Sequence, residues 1–200
     1  MLTTMNTNNA AIILASNSPR RKELLNQIGI VFTTDPADVD ESIRIGEFPK
    51  DYVIRVALDK ARTAAARSER GIVIAADTIV VLAGDVLGKP ADSGDAMRML
   101  AMLSNRKHEV LTGVTVLDAI SGKSLSCTAL TGVWFRDLSR DEITAYVTTG
   151  EPFDKAGAYG IQGKGALLVD KIEGCYFNVV GLPLSLLGAM LKDFGIKPLS

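Results

Sequence analysis

Ile72–Leu82 reads IVIAADTIVVL, and nine of its eleven residues are apolar. A β-branched run of this length is a strand buried on both faces, so it predicts the centre of a sheet. Asp77 and Thr78 interrupt it. A carboxylate in such a run is out of place, because Asp is rarely buried unless it is paired or bound to a metal. At a strand's end in an α/β sheet it binds metal or serves as a general base. The alternative is a structural Asp hydrogen-bonded to a neighbouring turn.

Outward from this strand, helical and strand patterns alternate. Residues 10–15 (AAIILA) predict a buried strand. Ser18-Pro19 then gives an N-cap and an N1 proline, opening a helix with Leu24, Leu25 and Ile28 on one face and Gly29 as its stop. Residues 31–34 predict a second strand, 35–49 an acidic loop with Asp38, Asp40, Glu41 and Glu47, and 51–70 a helix ended by Gly71. After the central strand, Gly84-Asp85 marks a turn and Val86-Leu87 a short return.

Residues 93–103 predict a helix with Met97, Leu100 and Leu103 inward, and the methionines 97, 99 and 102 serve its packing. Residues 109–117 and 125–135 form a long hairpin turning near Ser121-Gly122. Ser139 and Glu142 make a capping box for a helix through Ile143, Tyr146 and Val147. A glycine-rich irregular stretch covers 151–165, strands are expected at 167–171 and 176–180, and an amphipathic helix at 184–194. The pattern is an α/β fold with a mixed sheet.

The 200 residues are 47 % hydrophobic and 22 % charged, with a formal net charge of −1. This balance excludes a generally basic nucleic-acid binder, though not a local basic pocket. The two cysteines, Cys127 and Cys175, lack metal-site spacing and read as small core residues. Residues 1–9 are polar, have no leader-like pattern and read as a tail before one domain over 10–200. No apolar run is long enough for a membrane span. A cytoplasmic location follows as an expectation. The one histidine, His108, stands between Lys107 and Glu109 and is expected at the surface, so no Ser/His/Asp triad is available.

Four segments carry candidate chemistry. Ser16-Asn17-Ser18-Pro19-Arg20-Arg21 leads from a strand into a helix N-terminus bearing two arginines. It is either a phosphate site or a well-capped surface helix with solvated arginines. Ala76-Asp77-Thr78 is the second. Gly88-Lys89-Pro90 is the third, with Lys89 held between two backbone-restricting residues or simply solvated. The fourth, residues 150–163, has glycines that permit close backbone approach to a ligand, and Gln162 has an amide suited to a base edge. It too has a plain alternative, a long ordered loop.

Together these segments resemble the Maf family of nucleoside triphosphate pyrophosphatases. The carrying motifs are LASNSPRRKELL (14–25), AADTIV (75–80), GKP (88–90), EPFDKAGAYGIQG (151–163) and NVVGLPL (178–184). The resemblance implies an α/β fold with a mixed twisted sheet, flanking helices and two lobes around a deep cleft, related to inosine triphosphate pyrophosphatases. It also implies release of pyrophosphate and a nucleoside monophosphate with Mg²⁺ or Mn²⁺, and often a homodimer. No membrane and no stable nucleic-acid partner are expected.

Asp77 is the implied general base. Arg20, Thr78 and Gln162 are linked to substrate choice. Ser16, Ser18, Arg21, Lys60 and Lys89 are the implied phosphate ligands, and Asp77 with Glu41 the implied metal ligands. DKAGAYGIQG resembles the branch acting on dTTP and UTP. The rival class is a regulator of septum formation that binds nucleotide or nucleic acid without turnover. A third reading is a phosphomonoesterase, which would release inorganic phosphate.

Overall fold

In a computed structural model that describes residues 11–199, seven strands form one mixed sheet with six flanking α-helices. The tail expected at residues 1–9 lies outside the described residues. The elements are β1 (Ile12–Leu14), α1 (Pro19–Gln27), β2 (Thr33–Thr34), α2 (Pro49–Ala65), β3 (Ile72–Leu82), β4 (Asp85–Leu87), α3 (Ser93–Leu103), β5 (Lys107–Asp118), β6 (Ser124–Phe135), α4 (Arg140–Thr148), β7 (Val169–Glu173), α5 (Tyr176–Val180) and α6 (Leu184–Lys192). Short 3₁₀ turns fill Glu151–Asp154, Ala156–Ala158 and Gly163–Leu168.

The sheet runs β2-β1-β3-β5-β6-β7, with β4 also paired to β3. β3 is central, as its composition predicts. On one edge it pairs along most of its length with β5, placing Asp77 opposite Gly113 and Thr78 opposite Thr112. The other edge is shared. β1 runs parallel to Ile72–Ile74, and β4 runs antiparallel to Val80–Leu82. Neither strand covers residues 75–79, so an opening interrupts that edge of the central strand.

Alternation along β3 divides the core into four clusters, two on each face. On the α2 face, Val73 and Ala75 pack with Ala61 and Ala64, while Ile79 and Val81 pack with Val53 and Val56. On the opposite face, Ile72, Ile74 and Ala76 join Leu24, Leu25 and α6, while Val80 and Leu82 join α3 and α4. Asp77 falls between the clusters of one face and Thr78 between those of the other. A polar seam therefore separates two lobes.

α2 spans both clusters on its face and lies very close to β5. A Cβ at Gly113 would stand 2.2 Å from the Val53 carbonyl oxygen, so only glycine fits there.

Several expectations need correction. Residues 176–180 (YFNVV) form a helix and not a strand. Their β-branched and aromatic composition is overridden by tertiary contacts. The fully buried Asn178 donates from Nδ2 to the Val110 carbonyl and to Thr131, both at 3.0 Å, and Gly181 caps the helix at φ 120°. The strand expected at 167–171 starts two residues later, after a 3₁₀ turn. The strands expected at 10–15 and 31–34 shrink to three and two residues, residue 10 lying outside the described range.

His108 is buried, since β5 turns Lys107 outward and His108 inward. It sits against Phe135 and Tyr159. In α3 the inner face is Ala96, Met99, Leu100 and Leu103, and Met97 is exposed. Cys127 and Cys175 are free and half-buried, Cys127 packing against the core from its margin.

Candidate active site

The opening beside β3 leads into a cavity of about 630 Å³, within the range of small-molecule sites. Ser16, Ser18, Arg20, Arg21, Glu41, Lys60, Asp77, Thr78, Lys89 and Gln162 all line it. The carboxylate of the central strand and the cationic groups of the other segments thus share one space. Asp77 is in mid-strand and not at a strand end. Its access comes from the uncovered edge.

The α1 end is built by its serines. Ser18 Oγ accepts from the Arg21 amide at 3.5 Å as the expected N-cap. Ser16 Oγ accepts from the Ser18 amide and from Arg21 Nη1, both at 3.2 Å. Both hydroxyls therefore shape the loop and orient Arg21. The Arg21 guanidinium also donates from Nε to the Gly181 carbonyl (2.9 Å) and from Nη2 to Thr78 Oγ1 (3.1 Å). Burial lowers its pKa, and the Asp77 carboxylate acts in the opposite direction. Among the described residues Arg21 is held by neutral oxygens only, so its charge is not cancelled by an ion pair.

The remaining cations differ from one another. Lys60 Nζ sits between Glu41 Oε1 (2.7 Å) and Asp77 Oδ1 (2.8 Å). Arg20 pairs with Asp154 at 2.8 Å, and Asp154 also holds Lys155 at 2.6 Å. The two cations outweigh desolvation and lower the Asp154 pKa. Lys89 is exposed and has no ion pair among the described residues. Among the described residues, Arg21 and Lys89 are thus the cavity's two cations whose charge is not neutralised by a carboxylate, and a phosphate chain needs such groups.

Glu41 reaches the cavity because its loop is tied down. Tyr52 donates to the Glu41 carbonyl at 2.8 Å, and Arg55 grips Glu47 (2.6 Å) and the carbonyls of Asp40 and Ser42. The loop with Gln162 is tied in the same way. Glu151 accepts from the amides of Lys164 and Gly165, and Tyr146 Oη accepts from the Gly160 amide.

The divalent ion implied by the resemblance can be tested on this donor set. Asp77 and Glu41 each give one oxygen to Lys60, which leaves each a second oxygen without a partner among the described residues. No group of three or more His, Cys, Asp or Glu side chains suited to a metal exists among the described residues. Two carboxylates with no further protein ligands suit a hard cation that fills its shell with phosphate oxygens and water. The residues fit.

Sequence comparison accords with this geometry. The model of the family described as Maf-like protein matches residues 11–194. The chain belongs to the Maf family. The Maf match covers every cavity residue named above.

A relative from Moorella thermoacetica, named dTTP/UTP pyrophosphatase, is 54 % identical over 185 residues, covering 92 % of this chain and 95 % of that protein. One from Syntrophomonas wolfei with the same name is 50 % identical over 182 residues, covering 91 % and 96 %. Among solved structures, a HAM1 protein from Coxiella burnetii superposes with a TM-score of 0.53 at 18 % identity, covering 92 % of this chain and 100 % of that one. That likeness supports the fold alone.

Thr112 and Thr131 of this Maf chain lie outside the motifs quoted above, and Asn178 opens one of them without a role assigned to it. Thr112, Asn178 and Thr131 form a buried polar chain beneath Thr78. The available signal was the same as for Asp77, a polar residue inside an apolar strand, here Thr112 in VLTGVTV.

Proposed function

We propose that this Maf protein hydrolyses dTTP and UTP to the nucleoside monophosphate and pyrophosphate, with the help of a divalent cation. The observation that carries the proposal is the shared cavity. The Asp77 carboxylate and the unpaired charges of Arg21 and Lys89 line the same space. A pure phosphate binder gains nothing from a carboxylate there, because it repels the ligand. An enzyme that must direct water at phosphorus does gain.

Phosphoryl transfer is mainly positioning and charge neutralisation. Arg21 and Lys89 bind the triphosphate oxygens, with Arg21 fixed in direction by Ser16, Thr78 and Gly181. Asp77 holds the attacking water and takes its proton. The water oxygen bonds to the α-phosphorus, the bond from that phosphorus to the α,β-bridging oxygen breaks, and pyrophosphate departs. Lys60 holds Asp77 and Glu41 in place. Asp77 and Glu41 would hold a divalent cation, which would supply charge neutralisation at the phosphate. Arg20, Thr78 and Gln162 are the proposed base-side contacts, and Gln162 has its amide free of protein partners among the described residues.

No helix among the described residues is long and apolar enough to cross a membrane. A cytoplasmic site of action suits free nucleotides as substrates. The test is a panel of UTP, dTTP, CTP and GTP with Mg²⁺ or Mn²⁺, with products identified by chromatography. Pyrophosphate and monophosphate from UTP and dTTP are expected. Inorganic phosphate alone would indicate a phosphomonoesterase. Binding without products would indicate the non-catalytic regulator.

A further inference from the structure

Thr78 is the one residue of β3 that is not buried, and it lines the cavity. Its hydroxyl has one proton and two lone pairs. Arg21 Nη2 donates into one of those lone pairs at 3.1 Å. Thr112 Oγ1 lies 3.0 Å away on the paired strand, and either hydroxyl could supply the proton of that contact. A second contact decides the direction. Thr112 Oγ1 also lies 3.2 Å from the Asn178 carbonyl oxygen, which has no proton to give. The single Thr112 proton is therefore spent on Asn178, and the proton between the two threonines belongs to Thr78.

The Asn178 carbonyl is itself held in place, because the Asn178 side chain is anchored to Val110 and Thr131. With its proton committed and one lone pair filled, Thr78 offers the cavity a single lone pair. Phosphate oxygens only accept, so they gain nothing from it. The group that fits is a donor.

We propose that Thr112, buried and outside the cavity, fixes Thr78 as an acceptor for the imide N–H of uracil or thymine and so disfavours cytosine, whose N3 only accepts. Thr112 is a positioning residue in this account, and the account rests on the UTP and dTTP reading above. The sugar hydroxyls are the other donors that UTP and dTTP bring.

The test measures kcat/KM for UTP, CTP and 2′,3′-dideoxy-UTP in the wild type, Thr112→Val, Thr112→Ser, Thr78→Val and the double variant Thr78→Val/Thr112→Val. Valine at 112 frees the Thr78 proton to point at the base. The UTP-to-CTP ratio should fall by at least about tenfold, the scale of one mismatched buried polar contact. Serine should restore the ratio. In the Thr78→Val background, Thr112→Val should change it no further. If melting shows that Thr112→Val does not fold, Thr112→Ala takes its place.

An unchanged ratio, or the same change with and without Thr78, overturns the proposal. So does a shift confined to the UTP-to-dideoxy-UTP ratio, which would assign the contact to the sugar. A wild type that releases no pyrophosphate from UTP overturns the underlying reading instead.

Discussion

His108 should make this protein lose stability between about pH 7.5 and pH 5. The ring is buried against Phe135 and Tyr159, and Nε2 lies 2.7 Å from the Tyr159 hydroxyl. Nδ1 is buried without a partner, and no carboxylate forms an ion pair with the ring among the described residues. Burial pushes its pKa down from 6.5 to about 4.

The folded state therefore keeps the ring neutral where the unfolded chain already binds a proton. The contribution is fully present above pH 6.5 and disappears as the pH falls towards 4. The shift corresponds to roughly 3 kcal/mol in full, of which about 2 kcal/mol is lost by pH 5. The paired carboxylates add little in this window. Glu47 and Glu142, held near 2, lose their contribution only as the pH falls below the ordinary carboxylate value of 4.5.

For a chain of this size, 2 kcal/mol is worth roughly 4–8 °C of melting temperature. The control is His108→Gln, which can still bond the Tyr159 hydroxyl and does not titrate. Melting curves at the two pH values should show a larger drop for the wild type than for the variant, by that amount. Equal drops would refute the burial argument.

Three further outcomes are expected. Asp77→Asn should lower kcat by at least ~10²-fold, as for loss of acid–base help, and near-normal turnover in the folded variant would remove Asp77 from the chemistry. Gln162→Ala should alter the choice of base more than the affinity for the triphosphate, an idea to be dropped if dTTP and GTP slow equally. Gly113→Ala should destabilise the fold by ~1–3 kcal/mol or more through overpacking, since the new Cβ meets the Val53 carbonyl at 2.2 Å. Unchanged denaturation would mean that α2 does not lie against β5 as described.

The central strand was legible because periodicity and β-branching act locally. So were the Ser18 cap, the capping box at Ser139 and the hairpin of β5 and β6. The candidate site was legible where a residue contradicted its neighbours, as Asp77 does. What stayed hidden was settled by partners distant in the chain. Residues 176–180 are helical because Asn178 is tied to strands more than forty residues away. His108 is inward because of Phe135 and Tyr159, which its polar neighbours give no hint of. Lys60 was expected on phosphate, and its ammonium lies between two carboxylates, a placement that depends on how closely α2 approaches the sheet.

That placement explains why Asp77 and Thr78 can serve one cavity. Adjacent strand residues must point to opposite faces of a sheet. Within a fully paired sheet, Asp77 would lie under α2 and Thr78 under α1 and α5, with backbone between them. The interruption between β1 and β4 removes that barrier. The Ile72 amide and the Ile74 carbonyl bond to Ala11 and Ala15, the residues flanking β1, so the strand's alternation turns the backbone groups of Ala76 and Thr78 to the same edge, where no strand follows. A ligand entering there meets both side chains at once, and each is braced from its own side. Lys60 on α2 holds Asp77, and Arg21 with Thr112 holds Thr78. The uncovered edge thus accounts both for the division of the core into two lobes and for the convergence of residues from both faces of the sheet.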